Sequence, residues 1–291
     1  GATGNTGRAL CESLLAEGKA VRAIGRSKER LRPLVEKGAE AAIASVDDAE
    51  AMRRAFSGAR GAYCLIPPRF DVEDFRAYQR SVGKSLAAAV KDSGVEYVVS
   101  LSSVGAQHRE GTGPIAGLRE QEDRLGALAG VNLLHVRAGY FMENLFMSID
   151  TIRRMRVLGT AVRGDVPLPM IAAQDIGRFA AERLAKLDFS GASSCELLGP
   201  ADVTMQQATR ALGQAIGYDD LEYAQFPYSE AEKAMLGMGI SPGTASTFIQ
   251  LYRAINDGLV RAEEARSPHN STPTTIEAFS REFAQVYGVG A

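Results

Sequence analysis

The chain opens Gly1-Ala2-Thr3-Gly4-Asn5-Thr6-Gly7, three glycines at intervals of three that lead into an amphipathic stretch. Glycine permits a tight turn and lets backbone N–H groups approach a ligand, and a helix starting there points its positive end at the same place. The chemistry that needs both is the holding of a pyrophosphate. Asn5 and Thr6 add hydrogen-bonding side chains to the turn. Three glycines alone also make an ordinary helix-capping loop. The strands and helices that follow at once are what favour a dinucleotide.

A second position bears on which dinucleotide. An NAD site wants Asp or Glu at the end of the second strand, roughly 20 residues on, to bond the ribose hydroxyls. The sequence there is Ala23-Ile24-Gly25-Arg26-Ser27-Lys28, with no acid. A carboxylate would repel a 2′-phosphate, whereas Arg26 can grip one bidentately with help from Ser27 or Lys28. NADP(H) is therefore expected over NAD(H). The plain alternative is that Arg26 and Lys28 are solvated charges. Further positions follow because ligands sit beyond the carboxyl ends of parallel strands. Asp47 is placed to meet an adenine amino group, unless Asp47 or Asp48 only caps the next helix. Ile66 and Pro67 are expected to wall the cofactor, and Ser102 and Ser103 to lie near the nicotinamide ribose. Ser103 is equally a turn residue.

The elements that must position these groups alternate in type. Residues 8–19 read as helix, 20–24 as strand, Ser27-Lys28-Glu29-Arg30 as the start of a helix with Ser27 as N-cap, 39–44 as strand and 48–56 as helix. Then come a strand over 61–66, a helix over 71–93, a strong strand over 95–101 (VEYVVSL), a helix over 115–128 and a strand over 131–137. The spacing predicts an α/β fold, a Rossmann-like doubly wound parallel sheet with helices on both faces. Such a glycine turn normally follows a buried strand, and none precedes Gly1. The chain is expected to lack about five to eight residues, the usual strand length, from the centre of its sheet. Residues 1–143 form the expected nucleotide-binding core, 144–198 a mixed segment returning to the sheet, and 199–291 a small, mainly helical substrate lobe. Within these, 144–158 reads as helix, 167–171 as a short extended piece, 175–187 as helix and 195–198 as strand. Capping boxes at Thr204/Gln207, Ser229/Glu232 and Thr274/Glu277 mark three later helix starts. Leu236–Ile240 with Pro242 and Gly243 reads as a helix–helix connection or a mobile cover.

Composition narrows the classes. Of 291 residues, 45% are hydrophobic and 23% charged, with a net charge of −2. That excludes a disordered chain and gives no bulk positive charge for nucleic acid. No apolar run reaches the roughly 18 residues of a membrane span. Cys11, Cys64 and Cys195 imply no disulfide framework, and His108, His135 and His269 are too far apart for a local zinc signature, so no metal is expected. A reducing cytoplasm is the default.

GATGNTGR at the start, LSSVGA at Leu101–Ala106, VRAGYFMENL at Val136–Leu145, QDIGRFAA at Gln174–Ala181 and TPTTIEAF at Thr272–Phe279 together resemble the NmrA-like group of atypical short-chain dehydrogenases/reductases. The likeness runs along nearly the whole chain. It implies a Rossmann-like core with a small C-terminal substrate lobe. Members of the group include NADPH-dependent quinone reductases, dye reductases and nucleotide-sensing regulators. Carried over, the resemblance implicates Thr3, Asn5, Thr6, Arg26, Ser102 and the Tyr140–Asn144 segment. The sequence departs from short-chain dehydrogenase chemistry in one respect. Tyr-x-x-x-Lys lets lysine lower a tyrosine pKa so that it moves a proton, and no tyrosine here has Lys four residues on. Tyr228 has Lys233 at five. Where related reductases carry Lys or His, the best register places Leu118. The adjacent Arg119 holds its proton too tightly to donate it.

The reading that follows is an NADPH-dependent reductase passing hydride to a conjugated small-molecule acceptor such as a quinone, enone or dye. Conjugation stabilises the added charge, so a strong protein acid is less necessary. Tyr140 and Asn144 are the candidates to line the acceptor site, with Phe141 and Met142 beside them as core. The alternative is a non-catalytic NADP(H) sensor acting through a protein partner.

Overall fold

The computed structural model describes residues 1–288. The first half alternates α1 (Asn5–Ala16), β1 (Arg22–Gly25), α2 (Lys28–Val35), β2 (Glu40–Ile43), α3 (Ala49–Phe56), β3 (Gly61–Cys64), α4 (Phe75–Ser93), β4 (Tyr97–Ser103), α5 (Ile115–Gly126) and β5 (Asn132–Ala138). Then follow β6 (Tyr140–Phe141), a 3-10 stretch over Met142–Ser148, α6 (Ile149–Met155), β7 (Val157–Thr160), β8 (Met170–Ile171), α7 (Ala173–Lys186) and β9 (Ala192–Leu197). The last third holds α8 (Met205–Ile216), β10 (Glu222–Gln225), α9 (Tyr228–Gly237), α10 (Pro242–Asn256) and α11 (Ile276–Tyr287).

The strands β3-β4-β5-β9 form one parallel sheet, and β1-β2 a separate parallel pair. Alternation along β4 explains why its neighbouring residues Val98 and Val99 are both apolar. Val99, with Val136 and Ala138 of β5, packs against Leu10 and Cys11 of α1 and Ile176 and Ala180 of α7. Val98 and Leu133 point the other way, to Met52 and Phe56 of α3, Val82 and Leu86 of α4 and Leu125 of α5. Successive strand residues face opposite sides, so two buried faces require a run without polar alternation. The fold is α/β and Rossmann-like, with helices on both faces.

A further apolar core gathers Met142, Leu145, Leu158, Leu212, Phe279 and Phe283, joining the 3-10 stretch and β7 to α8 and α11. A smaller one joins Met235 of α9 to Ala245 and Ile249 of α10. The parallel pairs β7-β10 and β6-β8 lie outside the main sheet.

Several local expectations change. The helix expected over 144–158 is instead a 3-10 stretch, the short α6 and the strand β7. Arg156, at φ 58° in the left-handed region, ends α6 and turns the chain into β7. The Thr204/Gln207 box forms with both of its bonds, 3.2 and 2.8 Å. The Ser229/Glu232 box does not form: α9 starts two residues earlier, at Tyr228 with Pro227 as its N-cap, and no side chain caps it. At α11 the cap moves one residue, because Thr275 accepts from Ala278 N at 3.2 Å. Thr274 N is taken by the Asp175 carboxylate at 3.0 Å. Residues 242–256 are a full helix, capped by Ser241.

Candidate functional site

The glycine turn stands at the carboxyl end of β1, where Ala2 N donates to Ile24 O at 3.2 Å. Gly4 N donates to Gly1 O at 3.0 Å and closes the turn. Gly4 is the N-cap of α1, and no side chain caps that helix. The first amides of a helix have no intrahelical acceptor, so this end is open to an anion. The glycines do different jobs. A Cβ on Gly7 would collide with the Gly1 carbonyl, so Gly7 is needed for the turn to close against the helix. A Cβ on Gly4 would meet only Gly1 O, at 3.4 Å, so Gly4 leaves the outer surface of the turn clear. Gly177 brings α7 so close to α1 that a Cβ there would stand 2.7 Å from Ala9 Cβ and 2.9 Å from Leu10 N. Thr6 is buried beneath the turn, while Thr3 is half-buried and Asn5 exposed.

Arg26 is exposed just past β1 and makes no ion pair among the described residues, unlike Arg22, which holds Glu40 at 3.0 Å. Ser27 is committed to capping α2, accepting from Arg30 N at 3.3 Å. The two aspartates after β2 divide their roles. Asp48 accepts from Ala51 N at 2.9 Å and caps α3, while Asp47 stays exposed. Tyr78 of α4 lies within electrostatic reach of both Asp47 and Arg26. Burial, then Asp47, raises its pKa, and its hydroxyl donates to Pro67 O at 3.0 Å. Tyr78 thereby fixes the Ile66-Pro67 segment, which is half-buried. These groups share the carboxyl-end side of β1, β2 and β3.

Ser102 and Ser103 end β4 on opposite faces. Ser102 is buried and donates to Glu122 Oε1 at 2.6 Å. Glu122 of α5 is also gripped bidentately by Arg137 of β5, at 3.0 and 2.7 Å. Ser103 donates to the neighbouring Val104 O at 2.9 Å, as a turn residue does. Arg119 is held by Asp123 at 2.9 Å and lines a groove of about 470 Å³ with His135, Arg137 and Ser193.

At the end of β5, Tyr140 and Phe141 pair with Met170 and Ile171. Burial pushes the Tyr140 phenol well above its ordinary pKa, Tyr252 and Tyr223 add to that, and the Asn144 side chain opposes it by hydrogen bonding. A phenol held so tightly is a poor acid but a sound hydrogen-bond donor. Asn144 itself is exposed. The residue between them, Glu143, was not singled out from the sequence. Its Oε1 accepts from Ala173 N at 2.8 Å, capping α7, whose own N-cap Ala172 has no side chain able to do so. Its Oε2 is buried with no partner among the described residues. Burial raises its pKa to about 7, opposed by the Ala173 amide and helped by Glu282 and Asp175. The signal in the sequence was a lone carboxylate in an apolar segment, but its capping partner lies 30 residues away.

The sequence profile of the NmrA-like family matches residues 1–279. The chain belongs to the NmrA-like family. This NmrA-like chain is 24% identical over 252 residues to an NAD(P)H azoreductase of Xenophilus azovorans, covering 87% of this chain and 84% of that one. Among solved structures it resembles an NADPH-dependent quinone oxidoreductase of Escherichia coli complexed with NADPH. The TM-score is 0.80 at 20% identity, over 97% of this chain and 98% of that one. It also resembles a Citrobacter sp. triphenylmethane reductase complexed with NADP(H), with a TM-score of 0.78 at 16% identity over 98% of each chain. At these identities the structural likeness is one of fold. Among the described residues no helix is long and apolar enough to cross a membrane.

Proposed function

We propose that the chain is an NADPH-dependent reductase that delivers hydride to a conjugated small-molecule acceptor of the quinone, enone or aromatic-dye kind. The observation that carries this reading is the uncapped start of α1 behind the glycine turn, with unpaired Arg26 beside it at the end of β1. The azoreductase, quinone oxidoreductase and dye reductase relatives support it.

When bound, the dinucleotide supplies a hydride, that is, two electrons and a proton. Gly1, Gly4 and Gly7 with the amides at the head of α1 hold the pyrophosphate, flanked by Thr3, Asn5 and Thr6. Arg26 grips the 2′-phosphate and so prefers NADP(H) over NAD(H). Asp47 accepts from the adenine amino group, Ile66 and Pro67 form an apolar wall, and Ser102 and Ser103 meet the nicotinamide ribose. Tyr140 and Asn144 line the acceptor site under the lobe of residues 199–291. A quinone that takes the hydride also takes one proton from water and leaves as hydroquinone. Solvent supplies that proton, and the Tyr140 phenol, its pKa raised by burial, serves as a hydrogen-bond donor.

Calorimetric titration of NADPH and NADH in parallel tests the cofactor, and an acceptor panel tests turnover. The expected result is tight NADPH binding, weak NADH binding and NADPH oxidation with at least one conjugated acceptor. Equal binding of the two removes Arg26 from its role. Binding of neither sinks the reading. A second reading rests on the same poor acid. With Arg119 tied to Asp123 and Tyr140 so weakly acidic, an NADP(H) sensor acting through a protein partner needs no proton donor at all. It is supported if NADPH binds tightly and no acceptor in the panel is reduced.

A further inference from the structure

Gln107 lies in the loop between β4 and α5. Its Oε1 and Nε2 are both shut off from solvent and have no hydrogen-bond partner among the described residues. The hydroxyl of Thr112, in the same loop, is fully buried and equally unmet. A primary amide carries two donor and two acceptor positions, and burying such a group unpaired is costly. Buried polar groups in folded proteins are almost always paired, so an amide left wholly unmet points to a partner from outside the chain.

The loop's place says what that partner meets. Val104 N donates to Ala138 O at 2.9 Å, which fixes the loop at the carboxyl ends of β4 and β5. Its other side lies against α10 and the turn after it. A Cβ on Gly105 would stand 3.1 Å from Val260 Cγ2, and one on Gly113 would collide with the Thr247 carbonyl. Tyr140, at the end of β5, has Tyr252 of α10 beside it. The start of α10 is fastened to the β3–α4 loop. Thr244 Oγ1 donates to Val72 O at 2.7 Å, Ser241 Oγ bonds the same carbonyl, and Ser241 N donates to Phe70 O at 2.9 Å. Phe248 packs edge-on to Phe75 at 5.6 Å. Helix α10 is thus a roof over the carboxyl ends of β3, β4 and β5, and it packs on the loop that carries Gln107 at Gly113, with Val260 beyond its end at Gly105.

We infer that Gln107 is the acceptor-binding amide, its Nε2 donating to a carbonyl oxygen of a quinone-type acceptor when α10 lifts from the loop. The inference rests on the reductase reading and narrows the acceptor to one with a carbonyl. That oxygen gains negative charge as the ring is reduced, so a fixed donor aimed at it binds the reduced state better than the ground state.

The test measures binding, so it does not depend on turnover. A sulfonated 1,4-naphthoquinone is titrated into the NADP+-saturated full chain, into Gln107→Leu and into Gln107→Met, which is unbranched and closest in shape. A cationic triarylmethane dye without a carbonyl is titrated in parallel. Losing one amide-to-carbonyl hydrogen bond is expected to weaken quinone binding about 5- to 10-fold in both variants. Dye and NADP+ affinities should stay within about twofold of the parent, on the same scale. Both variants should melt no lower than the parent, since the amide has no bonds within the fold to lose. Unchanged quinone affinity, an equal loss for quinone and dye, or a lower melting temperature in both variants each overturns the inference. A parent that binds NADP+ while its variants keep full quinone affinity removes this inference alone. A parent that binds neither NADP+ nor quinone removes the reductase reading and this inference with it.

Discussion

Replacing Glu143 by glutamine should stabilise the protein, but only at neutral and alkaline pH. Two effects compete at this carboxyl. It sits at the N-terminus of α7 and accepts from Ala173 N, both of which favour the charged form. Burial disfavours it, as do the charges of Glu282 and Asp175, and burial is the largest influence. The net result is a pKa raised from 4.5 to about 7. The sign follows from linkage. The folded state holds this proton more tightly than the unfolded chain. Its stability is therefore greatest below pH 4.5, falls as pH rises from 4.5 to about 7, and stays lowered above that. At about 1.4 kcal/mol per pH unit, the gap amounts to about 3 kcal/mol. Glutamine keeps the oxygen that Ala173 N needs and cannot ionise. Parent and Glu143→Gln should unfold alike near pH ~4, where the carboxyl is neutral in both states. At pH ~8 the variant should be more stable by about 3 kcal/mol, or about 5 °C in Tm for a chain of this size. Urea or thermal melts of both proteins at the two pH values decide it. A stability difference that does not change with pH would refute the reasoning, as would a less stable variant at the higher pH. The first would mean that the carboxyl holds its proton equally in the folded and unfolded chain, the second that it is paired and charged in the fold.

Three other perturbations address other parts of the molecule. Arg26→Ala should weaken NADPH binding about 10- to 100-fold, the worth of a charged hydrogen-bonding group, and leave NADH binding unchanged, as read by calorimetry. Gly177→Ala puts a methyl against Thr6 O, Ala9 and Leu10 N. A backbone clash of this kind should cost about 1–3 kcal/mol in a denaturant melt, and it should weaken NADPH binding by displacing the head of α1. Arg137→Met leaves Glu122, 7% exposed, without its bidentate partner. Stranding a buried carboxylate should cost about 3–5 kcal/mol, and adding Glu122→Leu should recover much of the loss in the same melts.

The core was legible because its signals are local. VEYVVSL must be a strand with two buried faces, and Val98 and Val99 do go to opposite sides. Thr204 and Gln207 lie within one turn of each other, so their mutual capping could be read directly. The missed features depend on partners distant in the chain. Thr274 looked like a cap, but the Asp175 carboxylate takes its N–H from 99 residues away, and Thr275 caps in its place. Residues 144–158 carry a helical pattern, yet β7 forms there because β10, more than 60 residues later, offers a parallel edge. In the candidate site, Asp47 and Asp48 could not be told apart by type. Only the geometry shows that Asp48 caps α3. Glu143 and Gln107 went unremarked because an unmet hydrogen bond leaves no trace in residue order.

Ser102 shows how the buried network limits what the proposed site can do. A hydroxyl has one proton to donate and two lone pairs to accept with. Its proton is committed to Glu122, whose charge makes it the strongest acceptor nearby, and Arg137 holds Glu122 in place on its other side. Ser102 can therefore meet a ribose hydroxyl only as an acceptor. Ser103, on the other face of β4, gives its proton to Val104 O, a neutral acceptor that is more easily exchanged. Of the two serines, Ser103 is thus the one able to turn and donate to a cofactor. Substituting alanine at each position should separate them by calorimetry. Loss of Ser103 should weaken NADPH binding by about 3- to 10-fold with little change in stability. Loss of Ser102 should lower the Tm, because it removes a hydrogen bond from a buried charge. If Ser102→Ala instead weakens NADPH and leaves the Tm alone, the proton of Ser102 is shared with the cofactor and the order of these two residues is reversed.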